Sequence, residues 1–153
     1  MALLRRIRPA ALDHLALKEA LLSLLADVRQ HHPSRTLLLE AGPLADHYCA
    51  ARDATLYRCT QEAVTNALKH GDARTVRVEI AEVAGAEGRA VRLVVTDDGR
   101  GPPARPVEGL GLAGMRERVR ALGGSCRLQA GAGGGACFIA EIPVPRREGL
   151  ENA

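Results

Sequence analysis

Aromatic side chains are almost missing from this 153-residue sequence, which has one Phe, two Tyr and no Trp. A protein that stacks the bases of single-stranded nucleic acid needs aromatic platforms, so this class of function is disfavoured. The core must instead be built from aliphatic side chains, which the 46% hydrophobic content can supply. The length suits one domain with a sizeable core.

Other features are missing as well. The four cysteines form no Cys-x-x-Cys pair and no metal-ligand spacing with the histidines, so we expect free thiols in a reducing compartment. No apolar run is long enough to span a bilayer, and the N-terminus lacks the continuous apolar segment of a signal peptide. A net charge of +3 with scattered arginines argues against a direct nucleic-acid partner. We therefore expect a cytoplasmic domain.

Hydrophobic periodicity and turn residues predict alternating helices and strands. Three helices are expected: one from Ala10 to a stop at Pro33, one capped by Asp53 or Thr55 and ending at Gly71, and one from Leu112 to the Gly123-Gly124 pair. The predicted strands are Arg35–Ala41, a hairpin of Thr75–Val83 with Ala90–Asp97, and a hairpin of Ser125–Ala130 with Ala136–Val144. About five strands and three helices in this order predict an α+β fold. It would be a two-layer sandwich, with a mixed, mostly antiparallel sheet covered on one face by helices.

The stretch QEAVTNALKHG carries polar side chains along one helical face. Glu62, Asn66 and Lys69 are spaced at i, i+4 and i+7, with His70 one position further round. A carboxylate and an amide oxygen one turn apart can hold a hydrated Mg²⁺, and a lysine one turn further on can meet a phosphate. An ordinary solvated helix face has a similar composition, so this stretch alone leaves both interpretations open.

The stretch VTDDGRG places carboxylates at the end of a predicted strand. Asp97 and Asp98 follow apolar residues and precede glycines that allow tight turns. A buried carboxylate at Asp97 can accept a hydrogen bond from an exocyclic amine, such as the amino group of adenine. Asp-Gly is also a common strand-ending turn, which is the simpler interpretation of the stretch alone.

A third stretch, EGLGLAGMRERV, opens a predicted helix with glycines. Gly109, Gly111 and Gly114 leave backbone N–H groups exposed at the helix N-terminus, where phosphates are commonly bound. The string also fits Gly-x-Gly-x-x-Gly, but the predicted order lacks the parallel βαβ unit of a dinucleotide-binding fold. The glycines by themselves are weak support.

In this order the three stretches resemble the ATP-binding catalytic domain of bacterial sensor histidine kinases, in the superfamily shared with gyrase, heat-shock chaperone ATPases and MutL. QEAVTNALKH is similar to that family's N box, DDGRG to its G1 box and GLGLAGM to its G2 box. GLGLAGMRERVRALGG is similar to the subfamily whose response regulators are of the NarL/LuxR type. The resemblance covers residues 9–144 and implies a sandwich of the Bergerat type.

The resemblance also implies that the domain takes ATP and Mg²⁺ and that each motif residue has a role. Asn66 would chelate Mg²⁺, and Glu62 would support the metal or act as the base that activates the acceptor. Asp97 would bind the adenine amino group. The other implied nucleotide contacts are Lys69 and His70 near the phosphates, Gly99 and Gly101 beside the base, and Gly109, Leu110, Gly111 and Leu112 at the triphosphate, with residues 100–108 as an ATP lid. For Gly135–Phe138, the resemblance suggests a strand closing the adenine pocket, although a purely structural role is favoured.

None of the five histidines fits a phosphoacceptor on a dimerisation helix. We therefore expect a catalytic fragment, in which residues 1–8 end a dimerisation unit and residues 145–153 form a flexible tail. Its expected partners are a histidine-bearing dimerisation domain of the same parent protein and a NarL/LuxR-type response regulator. Any membrane contact would belong to parent segments outside this sequence, and an inner-membrane anchor there stays open.

Two alternatives remain open at this point. An anti-sigma-type serine kinase shares the acid–asparagine helix and needs no histidine acceptor. A nucleotide-binding interaction module would bind ATP and transfer nothing.

Overall fold

The structure, a computed structural model, describes residues 9–85, 88–102 and 111–145. Within those ranges a 3-10 turn over Ala10–Asp13 precedes three α-helices, which are α1 (Leu17–His31), α2 (Ala50–Lys69) and α3 (Leu112–Ala121). The strands are β1 (Thr36–Ala41), β2 (Thr75–Gly85), β3 (Gly88–Asp97), β4 (Ser125–Ala130) and β5 (Ala136–Pro143).

The strands of the described residues form one mixed sheet in the order β1-β2-β3-β5-β4. β1 pairs with β2 in parallel, and the remaining pairs are antiparallel. The β3–β5 pairing sets Val95 opposite Phe138, so the carboxyl end of β3 lies beside the start of β5. The predicted mixed, mostly antiparallel sheet is confirmed.

One face of the sheet is covered by the helices, and the core lies between the two layers. α1 packs on β1 and α2, α2 crosses β3 and β5, and α3 packs on β4. Alternate strand residues such as Val78, Leu93 and Ile142 are fully buried against the helices. The opposite face carries the exposed ion pairs Arg77–Glu40 and Arg92–Glu141. The predicted two-layer α+β sandwich is therefore confirmed.

The first predicted helix is wrong in one respect, because it is not continuous. The chain leaves the 3-10 turn at His14, and α1 begins only after Ala16, whose backbone is extended. The amide N–H of Leu17 donates to the Asp46 carbonyl at 2.9 Å instead of to the preceding turn. A contact that is distant in the sequence thus divides a segment that local periodicity joins.

The second helix also begins earlier than predicted, at Ala50 with Cys49 as its N-cap. Asp53, predicted as a cap, is fully buried within α2. Its carboxylate accepts the Tyr48 N–H at 2.9 Å and lies 2.9 Å from Nδ1 of His47. This carboxylate therefore ties the preceding loop to the helix instead of capping its end.

The cysteines are free thiols, as their spacing predicts. Cys59 is buried on α2, and this burial raises the pKa of its thiol to about 12. Burial also raises the pKa of Cys126 on β4, although Arg116 and Arg120 act in the opposite direction. Both thiols stay protonated at neutral pH, so they serve as small apolar groups of the core.

A buried polar network lies beneath the loop that precedes α2. The Tyr48 hydroxyl donates to Glu82 at 2.6 Å and accepts the Ala45 N–H at 2.8 Å. Glu82 is 5% exposed and also pairs with Arg89 at 2.9 Å. Burial, followed by the hydrogen bond to Glu82, raises the pKa of Tyr48. The neutral phenol is therefore the form that the fold stabilises.

We expect Tyr48→Phe to lower the free energy of unfolding by about 2 kcal/mol at pH 7, because it removes the donor to the buried Glu82 and leaves the partly buried Ala45 N–H unpaired. The folded pKa of Tyr48 lies above its unfolded value, so this contribution is full below about pH 10 and is lost as the pH rises further. Urea unfolding at several pH values measures both effects.

The matched control is Tyr57→Phe, because Tyr57 is half-buried on α2 and burial raises its pKa too. Its hydroxyl donates no hydrogen bond to any residue that the structure describes, so the expected change is below about 0.5 kcal/mol. Equal effects of the two substitutions would contradict a special role for the Tyr48 network.

Candidate functional site

A cavity of about 400 Å³ opens between α2, the carboxyl end of β3 and the start of α3. This volume lies within the range of roughly 300–1,000 Å³ typical of small-molecule sites. Its walls are mostly apolar, with a few polar side chains among them. The lining residues are Ala63, Asn66, Ala67, His70, Gly71, Val95, Asp97, Arg100, Gly101, Pro102, Leu112, Met115, Leu128, Ala136 and Phe138.

The carboxylate of Asp97 lines this cavity. Its Oδ1 accepts the Gly99 N–H at 2.8 Å and the Ala136 N–H at 3.3 Å. Among the residues that the structure describes, no group donates to its other oxygen, Oδ2. The two backbone donors hold the carboxylate in place and leave one oxygen able to accept from a ligand.

The face of α2 that meets the cavity differs slightly from the predicted one. Ala63, Asn66, Ala67 and His70 line it, at the i, i+3, i+4 and i+7 spacing of one helical face. Lys69 is exposed and does not contribute to the lining. The structure thus brings Asn66 and His70 to the cavity together with Asp97.

Glu62 lies at the edge of the same region, against the N-terminus of α3. A Cβ atom at Gly111 would come within 2.6 Å of the Glu62 Oε2, and Gly111 has a φ of 75°. Glycine suits both the space and the left-handed backbone conformation there. The α2 carboxylate and the first turn of α3 are therefore in direct contact.

The predicted glycine-rich motifs are only partly visible. Gly101 and Leu112 line the cavity, while Gly99 and Gly111 lie beside it. Gly109 and Leu110, which were also predicted to contact nucleotide, lie outside the described residues, as does the predicted lid beyond Pro102.

The apolar walls were missed by sequence reasoning. Val95, Leu128 and Phe138 face the cavity from three neighbouring strands, and Met115 faces it from α3. Strand alternation marks these side chains as inward-facing, but it does not separate a cavity wall from ordinary core. The sequence favours a purely structural role for Gly135–Phe138, yet the Ala136 N–H donates to the Asp97 carboxylate.

A metal ion at this site would depend on few protein ligands. No group of three or more His, Cys, Asp or Glu side chains is placed to bind a metal within residues 9–85, 88–102 and 111–145. Asn66 and Glu62, one helical turn apart, supply oxygen donors of the kind that Mg²⁺ accepts while it keeps several waters. The donor chemistry therefore fits Mg²⁺ bound together with a phosphate ligand. In the same described ranges no helix is long and apolar enough to cross a membrane.

The chain matches a known protein family and several known proteins. The profile of the family described as "Histidine kinase-, DNA gyrase B-, and HSP90-like ATPase" matches residues 51–146. Over 126 residues the chain is 37% identical to the signal transduction histidine-protein kinase/phosphatase UhpB of Salmonella typhimurium, covering 80% of this chain and 24% of that protein. It is 33% identical over 122 residues to the methanol utilization control sensor protein MoxY of Paracoccus denitrificans, covering 76% of this chain and 27% of that protein. The chain thus spans about a quarter of these relatives' length.

Solved structures show the same fold. The ATP binding domain of PrrB from Mycobacterium tuberculosis superposes with a TM-score of 0.67 at 23% identity, covering 86% of this chain and 96% of that domain. The blue-light activated histidine kinase EL346 of Erythrobacter litoralis gives a TM-score of 0.68 at 21% identity, covering 90% of this chain and 44% of that protein. At this identity the likeness establishes the fold alone.

The family match covers the acid–asparagine helix, the Asp-Gly strand end and the glycine-initiated helix that surround the cavity. The curated relatives named above are sensor proteins and histidine kinases, so the serine-kinase and binding-module alternatives are not favoured. The chain belongs to the family of histidine kinase-, DNA gyrase B- and HSP90-like ATPases and is an ATPase domain of the histidine-kinase type.

Proposed function

We propose that this domain binds Mg·ATP in the cavity described above and transfers the γ-phosphoryl group to a histidine on a separate dimerisation domain. The observation that carries the proposal is the cavity shared by Asp97, Asn66 and His70, in which Oδ2 of Asp97 has no donor among the residues that the structure describes. Binding of ATP follows from membership of an ATPase family. Binding of Mg²⁺, the histidine acceptor and the roles of individual residues are proposed.

Asp97 would recognise the adenine base of ATP. The Oδ2 atom, which has no donor among the described residues, would accept a hydrogen bond from the adenine amino group. The apolar walls at Val95, Met115 and Phe138 would cover the ring faces and exclude water. Because the two backbone N–H groups already hold Oδ1, the carboxylate needs little reorganisation when the base arrives.

The phosphates would lie toward Asn66 and the first turn of α3. The backbone N–H groups that follow Gly111 form a helix N-terminus, which attracts anions. Among the predicted phosphate contacts, His70 lines the cavity, while Lys69 would have to approach from its rim. Gly109 and Leu110 would join them from the segment between β3 and α3.

Asn66 and Glu62 would hold Mg²⁺ through their oxygens. When bound, the ion supplies positive charge that neutralises the phosphate oxygens during transfer. Glu62 would support the ion, or accept the proton from one ring nitrogen of the acceptor imidazole while the other ring nitrogen bonds to the γ-phosphorus. The bond from that phosphorus to the bridging oxygen then breaks and ADP leaves. The domain would otherwise act by positioning the nucleotide and excluding water.

The remaining components would come from the parent protein. The curated relatives are about four times as long as the matched segment, so there is room in them for further domains. We propose a cytoplasmic location for this domain, a dimerisation domain that carries the acceptor histidine, and a response regulator of the NarL/LuxR type. The last is supported by the GLGLAGMRERVRALGG stretch and by the similarity to UhpB.

The test is transfer of labelled γ-phosphate from ATP to a histidine-bearing dimerisation domain of a related sensor kinase, supplied in trans with and without Mg²⁺. We expect acid-labile, Mg²⁺-dependent labelling of the dimerisation domain, because phosphohistidine is a phosphoramidate. Substitution of the acceptor histidine by Ala is the control and should remove the label.

A parallel reaction offers an anti-sigma-factor antagonist as acceptor. Acid-stable serine labelling there would support the serine kinase instead. ATP binding with no transfer to either acceptor would support the binding module, and the histidine-kinase proposal would then be wrong.

A further inference from the structure

The carboxylate of Asp98, next to Asp97, points away from the cavity and ties two parts of the chain together. Its Oδ1 accepts the N–H groups of Arg74 and Thr75 at 2.8 and 2.9 Å. The Asp98 N–H donates in return to the Thr75 carbonyl at 3.3 Å. Asp98 is exposed and is not among the residues that line the cavity.

The segment that Asp98 holds is the irregular connection between α2 and β2. Gly71 is hydrogen-bonded back to the Asn66 carbonyl at 3.0 Å, and Ala73 to the Ala67 carbonyl at 3.0 Å. The connection therefore moves with the last turn of α2, which carries Asn66 and His70. A contact that fixes this connection therefore also helps to fix Asn66 and His70 on the cavity wall.

A second contact joins the same two parts. The Arg100 N–H donates to the Gly71 carbonyl at 2.8 Å. Gly99 packs against that carbonyl so closely that a Cβ atom would collide with it. The residues after β3 and the residues after α2 therefore form one closely packed unit, in which Asp98 supplies the charged acceptor.

Asp97 does not depend on this unit alone, because it is also anchored to β5. The Ala136 N–H donates to its Oδ1, and β3 is paired with β5 along its length. The side of the cavity at Asp97 is thus built on the sheet. The side at Asn66 and His70 is joined to the sheet both by the packing of α2 on β3 and β5 and by the connection that Asp98 holds.

The charge of Asp98 is maintained at neutral pH. The hydrogen bond from the Thr75 backbone, with that from Arg74, holds the pKa of Asp98 below its ordinary value despite some desolvation. Charge-assisted hydrogen bonds of this kind are stronger than neutral ones. The carboxylate is therefore suited to hold two backbone donors at the surface.

We propose that Asp98 is a positioning residue for nucleotide binding, which sets the separation between Asp97 at the base end and Asn66 and His70 at the phosphate end. This inference rests on the proposed ATP site. A ligand that spans both ends depends on the separation, whereas a ligand that occupies only the base end does not.

The experiment compares Mg·ATP with adenosine, which lacks the phosphates, on the whole chain. We expect Asp98→Ala to raise the Kd of Mg·ATP about tenfold and to change the Kd of adenosine by less than about twofold. Asp98→Asn keeps the Oδ1 acceptor, so it should restore most of the Mg·ATP affinity. Calorimetric titration at a temperature at which circular dichroism shows each variant folded separates this effect from unfolding. Glu79→Ala, at an exposed carboxylate on β2, is the control.

The outcomes are distinguishable from failure of the proposed function. If wild-type protein does not bind Mg·ATP, the ATP site itself is wrong. If wild type binds and Asp98→Ala weakens ATP and adenosine equally, or weakens neither, the positioning role is wrong. A failure of Asp98→Asn to restore Mg·ATP affinity contradicts the hydrogen-bonding argument.

Discussion

The Asp97→Asn variant is expected to bind Mg·ATP about a hundredfold more weakly than wild type, the equivalent of roughly 3 kcal/mol. The Gly99 and Ala136 N–H groups hold Oδ1, so in the variant the amide oxygen takes that position. The new NH₂ group must then face the cavity. The NH₂ group of the variant and the amino group of adenine would then face each other as two donors, and the charge-assisted hydrogen bond is lost.

The fold should tolerate this substitution, because the amide oxygen still accepts both backbone donors. We expect the free energy of unfolding to change by less than about 1 kcal/mol, so that weaker binding reflects the site rather than the fold. Isothermal titration with ATP, beside urea unfolding, measures the two quantities separately.

The matched control is Asp72→Asn, which makes the same chemical change close to the site. Asp72 is exposed, pairs with Arg35 at 2.9 Å and does not line the cavity. Its φ of 50° is also a conformation that Asn adopts readily. ATP affinity should be unchanged in this variant. Wild-type affinity in Asp97→Asn would refute the assignment of the adenine contact.

The Asn66→Ala variant is expected to lose phosphoryl transfer by roughly a hundred- to a thousandfold, the usual effect of removing one group that stabilises developing charge. Its main-chain carbonyl would still accept the N–H groups of His70 and Gly71, so the end of α2 should remain intact. The substitution removes the side-chain amide oxygen of Asn66, which is the proposed metal ligand on the cavity wall.

A binding measurement identifies this loss as a metal effect. Wild type should bind ATP more tightly with Mg²⁺ than with EDTA, and Asn66→Ala should show little difference between the two. Thr65→Ala, at the half-buried neighbouring position outside the cavity lining, is the control. Transfer at the wild-type rate by Asn66→Ala would exclude Asn66 as a metal ligand.

The α2 face shows how much of the site can be predicted from the sequence. Helical spacing alone places Glu62, Asn66 and Lys69 together, and the structure keeps Asn66 on the cavity but leaves Lys69 outside it. The reason is geometric: spacing defines a face of α2, whereas its rotation relative to β3 and β5 is set by packing. Small residues at Ala63 and Ala67 open the space that the cavity occupies.

The loop before α2 illustrates what local pattern misses. Asp is a common N-cap residue, yet Asp53 is buried, and its carboxylate is hydrogen-bonded to the Tyr48 N–H and lies against the His47 ring. Tyr48 in turn reaches Glu82, which is 34 residues away in the sequence. No local sequence pattern predicts that contact, because it depends on where the sheet places β2 relative to the loop before α2.

By itself the sequence determined the fold class, the order of nearly all elements and the three motifs that surround the cavity. The fold class and the element order follow from side-chain periodicity, glycine and proline positions and Asp-Gly turns, which act over a few residues, whereas the three motifs were marked by their resemblance to a known family. The tertiary structure alone decided that Ala136 holds Asp97, that Glu62 meets Gly111 and that Asp98 joins the end of β3 to the end of α2. Those contacts depend on strand register and helix rotation, which are set by burying the whole core at once.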